Sequence, residues 1–151
     1  MLHKVVQLGG KSYFWLEKTN VVSMIQEYQV SGFRVREYEE LESTNTEAER
    51  VGWSELEDKM VILTYRQTQG RGQVGNHWES EPGKNISMTV VFKPRELPAG
   101  QQFAVSMVIA LGACDFISRY VSGCSVKWPN DIYVGDRKIS GILTILCLTT
   151  K

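Results

Sequence analysis

Residues 61–78, VILTYRQTQGRGQVGNHW, contain the pattern that decides the fold. The first five residues, VILTY, are rich in β-branched side chains and predict a short strand that leads into a glycine loop. The segment ISMTVVF at residues 86–92 predicts a second strand after that loop. We therefore expect the glycine loop to join two strands rather than a strand and a helix.

The glycines of this loop stand in G-x-G-x-x-G spacing, which occurs in several kinds of phosphate-binding site. A dinucleotide site needs a helix to begin at the last glycine, but the turn sequence ESEPG follows at residues 79–83. The sequence also lacks the Gly-Lys-Ser/Thr ending of a P-loop and the VAIK, HRD and DFG motifs of a protein kinase. What remains is a backbone that can approach a ligand closely, with Arg71 as a planar donor for carboxylate or phosphate. A plain glycine-rich hairpin turn is the alternative.

The rest of the chain predicts helices and strands in a mixed order. Cap-forming residues precede a helix that runs towards Val51, with Thr44 and Glu47 in capping-box spacing. Residues 101–120 predict a long and largely buried helix. Strand-like segments lie at residues 33–41, 125–128, 132–134 and 139–148. This order predicts the α+β class, with helices packed on one mainly antiparallel sheet.

Composition limits the classes of protein that fit. The 151 residues are enough for one domain, and 17 basic and 17 acidic residues leave no net charge to favour DNA, RNA or an anionic membrane. Cys114, Cys124 and Cys147 show no C-x-x-C spacing, so buried free thiols are expected. The most apolar window, residues 103–114, is too short to cross a membrane, and no signal peptide is recognisable. A cytoplasmic protein is the expectation.

Two later motifs carry further chemistry. KWPND at residues 127–131 places a cation, an aromatic ring, a turn and two oxygen-bearing side chains together, although an ordinary strand–turn–strand corner could also explain it. GDRKISGIL at residues 135–143 places Arg137 and Lys138 on a hairpin ahead of a strand that begins at Ile139. A basic turn facing solvent is the alternative for this second motif. The order and spacing of these two motifs and the glycine loop are hard to explain as coincidence.

Together with LESTNTEA at residues 41–48, these motifs resemble the catalytic domain of biotin protein ligases. The resemblance covers residues 38–144, and the related lipoate ligases are the nearest competing family. It implies a central, mainly antiparallel mixed sheet flanked by helices, similar to that of class II aminoacyl-tRNA synthetases. It also implies a catalytic domain at residues 38–151 that is incomplete at its C-terminus, with no SH3-like barrel. Residues 1–37 form an extension of uncertain fold in which no winged helix-turn-helix is recognisable.

The resemblance implies a reaction in two steps. Biotin is activated with ATP and Mg²⁺ as biotinyl-5′-AMP, and biotin is then transferred to a lysine in the biotin carboxyl carrier domain of a carboxylase. Both steps bring negative charges together, so positioned cations and backbone donors matter more than a protein nucleophile. A binding-only or inactive fragment and a lipoate ligase stay open as alternatives. No DNA binding is expected.

The resemblance also assigns residues. Lys138 and Arg71 are the expected catalytic residues, and Asp131 is the expected Mg²⁺ ligand. The expected biotin-binding residues are Ser43, Thr44, Asn45, Gln67, Gly70, Arg71, Gly72, Gln73, Lys138 and Gly141. The expected ATP-binding residues are Arg71, Trp78, Lys127, Asn130, Asp131 and Lys138, with Trp78 stacking on or beside adenine.

Two departures from the family pattern affect these expectations. Gln73 and Asn76 stand where many family members have arginines, so this loop is expected to retain an adenylate less tightly. The apolar segment at residues 139–148 ends the sequence without further strands to pair with it. Because an open apolar strand edge recruits other chains, aggregation or a homodimer through this segment is expected.

Overall fold

The computed structural model describes residues 5–8, 11–14, 24–94 and 99–145. The helices are α1 (Thr44–Val51) and α2 (Gln102–Ser118), with short 3-10 helices at Gln73–Gly75 and Ala99–Gln101. The strands are β1 (Val5–Leu8), β2 (Lys11–Phe14), β3 (Met24–Val30), β4 (Phe33–Tyr38), β5 (Met60–Thr64), β6 (Gly70–Arg71), β7 (His77–Trp78), β8 (Ser87–Val90), β9 (Cys124–Lys127), β10 (Asp131–Val134) and β11 (Arg137–Gly141).

The largest sheet has the strand order β3-β4-β5-β8. β4 and β5 are parallel, and the other two pairs are antiparallel. The predicted α+β class with a mainly antiparallel mixed sheet is therefore confirmed. The predicted strands on either side of the glycine loop are β5 and β8, and they pair directly with each other. Strand β3 and most of β4 come from the predicted N-terminal extension, and they share this sheet with the rest of the domain.

Strand β5 is buried along its whole length and lies between β4 and β8 in the centre of the sheet. Met60 and Ile62 are fully buried on one face. They pack in a cluster with Tyr38, Leu41, Leu56 and Val91, with Ala48, Val51 and Trp53 against its edge. Val61 and Leu63 point to the opposite face and form a smaller cluster with Val35. The alternation of side chains along one strand thus supplies both halves of the core.

The N-cap of helix α1 lies one residue earlier than the sequence predicts. Ser43, not Thr44, is the N-cap, and its hydroxyl accepts a hydrogen bond from the Asn45 backbone N–H at 3.3 Å. Glu47 does not turn back to cap the helix, so the predicted capping box is wrong. Its carboxylate is buried and accepts two hydrogen bonds from Arg50, each of 2.7 Å. A charged partner one turn along the helix competes successfully for Glu47.

The strands around the KWPND motif form a separate antiparallel sheet, ordered β11-β10-β9, and do not extend the larger one. The turn between β9 and β10 contains a cis peptide bond at Trp128-Pro129. Arg137 and Lys138 belong to β11 itself, so the predicted strand start at Ile139 is two residues late. Residues 146–148 of the predicted apolar segment lie outside the described residues, as does Cys147.

Helix α2 has 17 residues, lies within the predicted range of 101–120, and does not have the predicted burial. It packs against β9 and β10, and only Ser106 and Ala110 of its described side chains are buried. Val108, Leu111 and Phe116 are each at least 58% exposed, so the expectation of a largely buried helix is wrong for the described part of the chain. The apolar composition of a helix predicts that it can be buried, but neighbouring elements decide whether it is. No helix in the described residues is long and apolar enough to cross a membrane.

Cys114 on α2 and Cys124 on β9 lie side by side, with their Sγ atoms 3.1 Å apart. Both are free thiols, and both are half-buried rather than buried as predicted. The hydrogen bond between them raises the pKa of the Cys114 thiol above its usual value. Because the thiolate is the reactive form, this contact lowers the reactivity of Cys114 at neutral pH.

Candidate functional site

Two parts of the larger sheet, the end of β5 and strand β8, meet at the start of helix α1. Gln67, just after β5, accepts a hydrogen bond at its Oε1 atom from the Thr44 backbone N–H at 2.9 Å. This bond satisfies one of the amides that a helix N-terminus leaves without an intrahelical partner. Thr89 on β8 places its hydroxyl 2.9 Å from the Thr44 hydroxyl and 2.7 Å from Asn45 Oδ1. Ser43, Thr44, Asn45 and Gln67 were all predicted, and the structure brings them together.

The glycine loop leaves the sheet after Thr64 and returns at β8, folding as a small hairpin in which β6 pairs with β7. Gly70 is the tightest position of this hairpin. A β-carbon added there would lie 2.2 Å from the Trp78 carbonyl oxygen and 2.7 Å from Gln67 Nε2. Gly72 donates its backbone N–H to Asn76 at 2.7 Å, across the 3-10 turn. Glycine at position 70 therefore lets Gln67 and Trp78 approach each other.

Gly70→Ala should lower the free energy of unfolding by about 1–3 kcal/mol, because the added methyl group meets a backbone oxygen that cannot move away freely. Chemical denaturation of the variant measures this loss. Gly100→Ala is the matched control, since a β-carbon there has no heavy atom within 4 Å. Equal denaturation midpoints for the two variants would contradict the steric role of Gly70.

Trp78 connects the glycine loop to the smaller sheet. Its indole ring lies against Gly141 on β11, where an added β-carbon would be only 2.9 Å from the ring. The Lys138 ammonium lies 5.0 Å from the centre of the same ring, at cation–π distance. Lys138 also forms an ion pair with Asp131 on the adjacent strand, at 2.7 Å. The structure thus joins Trp78, Lys138, Asp131 and Gly141 in one cluster.

Other predicted residues stand apart from this cluster. The Arg71 guanidinium forms an ion pair of 2.7 Å with Glu49 on α1, and both side chains are about half exposed. Gln73 is exposed on the 3-10 turn. Lys127 lies opposite Asp131 on the neighbouring strand, with its ammonium 5.4 Å from the Tyr133 ring centre. Asn130 is buried and donates its side-chain amide to the Ile142 carbonyl at 2.8 Å, so it holds the end of β11 in place.

Two cavities border the glycine loop. The smaller has a volume of about 290 Å³ and is lined by residues 67–70 and 77–80. The larger, of about 420 Å³, lies between the loop, helix α1 and the segment after β11, and Arg71, Gly72, Leu143 and Ile145 line it. Both volumes are within or near the usual range for small-molecule sites. Leu143, Ile145, Glu49 and Thr89 were not predicted as site residues.

A polar cluster beside helix α1 consists of the buried residues Tyr38 and Glu47 and the exposed Arg50. The carboxylate of Glu47 lies between Arg50 and Tyr38, and burial, followed by this carboxylate, raises the pKa of the Tyr38 hydroxyl. The hydrogen bond to Glu47 raises the pKa of Arg50 further above its usual value. Tyr38 and Arg50 therefore keep their neutral and charged forms, respectively, across the physiological pH range.

Asp131 is the predicted Mg²⁺ ligand, and the groups around it decide which kind of metal site it could form. Among the described residues, no group of three or more His, Cys, Asp or Glu side chains is arranged to hold a metal ion. Protein Mg²⁺ sites often use only one or two carboxylates, with substrate phosphates and water as the other ligands. Asp131 fits such a shared site, in which its carboxylate would be one ligand beside phosphates and water.

The arrangement therefore presents polar groups for an uncharged ligand at one end and cations at the other, with a glycine backbone between them. A family model for the biotin/lipoate A/B protein ligases matches residues 38–147, and the chain belongs to this family.

The relatives of this chain include a bifunctional ligase/repressor and a biotin–[acetyl-CoA-carboxylase] ligase. The chain is 30% identical over 145 residues to the bifunctional ligase/repressor BirA of Escherichia coli, a match that covers 94% of the chain and 44% of that protein. It is 31% identical over 104 residues to the biotin–[acetyl-CoA-carboxylase] ligase of Paracoccus denitrificans, covering 68% of the chain and 42% of that protein. The chain thus spans less than half the length of either relative.

A solved structure is also similar. The crystal structure of biotin acetyl coenzyme A carboxylase synthetase from Helicobacter pylori with bound biotinylated ATP superposes with a TM-score of 0.61 at 29% sequence identity. The match covers 75% of this chain and 55% of that one. The catalytic-domain fold expected from the sequence is therefore confirmed.

Proposed function

We propose that this chain activates biotin with ATP and transfers it to a lysine of a biotin carboxyl carrier domain. One observation carries the proposal: contacts run without a break from Asn45 through Thr44, Gln67 and Gly70 to Trp78, Lys138 and Asp131. The polar residues at the start of α1 suit the uncharged ring of biotin. The cations suit its carboxylate and the phosphates of ATP. The names of the relatives support biotin as the substrate.

In the first step, a carboxylate oxygen of biotin bonds to the α-phosphorus of ATP, and the bond to pyrophosphate breaks. Two anions must approach each other, so stabilisation by fixed positive groups is the main requirement. Lys138 is held by Asp131 and lies over Trp78, close to Gly141. It is the cation that we assign to the reacting carboxylate and phosphate. Stacking of Trp78 on or beside adenine stays a prediction.

The remaining roles follow from position. The backbone of Gly70 and Gly72 covers the acyl-phosphate. The Arg71 guanidinium, which is paired with Glu49 in this structure, would leave Glu49 and bind the same acyl-phosphate. Lys127 and Asn130 border the phosphate end of the site. Mg²⁺ bound by Asp131 and the phosphates would neutralise charge on pyrophosphate as it leaves. In the second step, an acceptor lysine nitrogen bonds to the acyl carbon, and AMP leaves.

Biotin-dependent ATP–pyrophosphate exchange tests this proposal. We expect exchange with biotin and at least tenfold less with lipoate, because a site that hydrogen-bonds one polar ring leaves its groups unpaired with an apolar substitute. Equal or faster exchange with lipoate would assign the chain to the lipoate branch of the family. Biotin binding without exchange would support a binding-only protein. Absence of DNA binding stays a prediction, to be checked with a duplex competed by random sequence.

A further inference from the structure

Thr89 is one of two hydroxyl residues, with Ser87, in the mainly apolar segment ISMTVVF at residues 86–92. It is half-buried, it lies opposite Ile62 in the sheet, and its hydroxyl touches both Thr44 and Asn45. None of the motifs that carry the family resemblance contains it. Its position between two residues assigned to the biotin ring raises the question of what its hydroxyl does there.

Thr44, Asn45 and Thr89 have few polar hydrogens to donate, so a donor and an acceptor can be assigned to each hydrogen bond between them. A threonine hydroxyl has one hydrogen to donate and lone pairs to accept with. The distance of 2.7 Å from Thr89 Oγ1 to Asn45 Oδ1 is typical of a hydroxyl donating to a carbonyl oxygen. Thr89 Oγ1 also donates towards the Thr44 hydroxyl, at 2.9 Å, so its one hydrogen is shared between two acceptors, of which Asn45 Oδ1 is the nearer. The Thr44 hydroxyl donates in turn to Gln67 Oε1 over 3.4 Å.

This direction decides what Asn45 offers to a ligand. Its oxygen is occupied by Thr89, and within the described part of the chain its NH₂ group makes no hydrogen bond. We propose that Thr89 is a positioning residue, which fixes the Asn45 amide so that the NH₂ group faces the ligand and selects an uncharged carbonyl oxygen. The inference rests on the proposed function, in which that oxygen belongs to the cyclic urea of biotin. Thr89 acts through Asn45 and does not itself react.

The test compares biotin with 2-iminobiotin, in which a guanidinium replaces the urea. A guanidinium donates hydrogen bonds and cannot accept them, so it needs an oxygen from the protein where biotin needs an N–H. Thr89→Val keeps the shape of the side chain, removes the hydroxyl and lets the Asn45 amide rotate. We expect titration calorimetry on the full 151-residue chain to show about tenfold weaker biotin binding. The preference for biotin over 2-iminobiotin should fall by at least as much.

Thr89→Ser is the matched variant, because it keeps the hydroxyl and loses only a methyl group. It should restore the preference for biotin over 2-iminobiotin, and the KM for ATP should be the same in both variants. A merely structural role would weaken the two ligands equally and leave their ratio unchanged. That result, or a serine variant as impaired as the valine variant, overturns the inference. If one of these results is found and the unsubstituted chain catalyses biotin-dependent exchange, only the role of Thr89 is refuted. If the unsubstituted chain does not bind biotin, both proposals are refuted.

Discussion

Replacing Lys138 by alanine should slow biotin-dependent ATP–pyrophosphate exchange by about 10²–10³-fold, or about 2.7–4 kcal/mol, by analogy with removal of one oxyanion donor. The ammonium of Lys138 lies where the loop, Gly141 and Asp131 meet, and under the proposed function its charge would act on the reacting anions. The side chain is 35% exposed, so its loss should change the free energy of unfolding by no more than about 1 kcal/mol. The variant should therefore be folded but nearly inactive.

Two controls make this result specific. Lys84→Ala removes an exposed lysine that forms an ion pair with Glu81, a residue of the ESEPG segment. This change should leave exchange unchanged. Lys138→Arg keeps the charge but changes its shape, and it should recover part of the rate. Exchange at the unsubstituted rate in a folded Lys138→Ala chain would refute the role of this lysine. Circular dichroism and the denaturation midpoint establish whether the variant is folded.

Ile62→Ala should lower the free energy of unfolding by about 2–5 kcal/mol, because it leaves a cavity in the fully buried centre of β5. Ile62 packs with Met60, Tyr38 and Val91, and these residues belong to three different segments of the chain. A loss of this size is a large part of the stability of an ordinary domain. Urea denaturation followed by tryptophan fluorescence measures it.

A graded series tests whether burial causes this loss. Ile62→Val removes one methylene group and should cost about 0.5–1.5 kcal/mol. Ile86→Ala makes the same change at a side chain that is 68% exposed, and it should cost less than about 0.5 kcal/mol. Equal losses for Ile62→Ala and Ile86→Ala would show that β5 is not the centre of the core.

The sequence predicts strands and helices well here because their signals are local. β-Branched runs place β5 and β8 to within two residues, and the turn at Pro129-Asn130 places β9 and β10. The capping box fails because two oxygen-bearing residues, Ser43 and Thr44, stand side by side, and spacing alone does not show which one caps. The burial of α2 is overestimated because burial depends on partners elsewhere in the chain.

The candidate site is predicted in part for the same reason. Motif residues such as Thr44, Gln67 and Lys138 are recognised by their spacing, and the structure places them along one continuous set of contacts. The contact between Thr89 and Asn45 joins residues 44 positions apart, and no local pattern announces it. The strand contains two hydroxyl residues, Ser87 and Thr89, and the sequence does not show which of them faces Asn45. The ion pair between Arg71 and Glu49 is equally non-local.

The direct pairing of β5 with β8 has a consequence for how this protein can vary. Because Val61 pairs with Val90 and Thr64 pairs with Ser87, the sheet is closed across the base of the glycine loop. The register of the core therefore does not depend on what the loop contains, and even doubling a flexible loop costs only about 0.6 kcal/mol of closure free energy. Under the proposed function, substitutions at exposed loop positions such as Gln73 and Asn76 would retune how long an adenylate is held while the strand register stays constant. At these positions, unlike at the tightly packed Gly70, ligand retention could then evolve separately from folding.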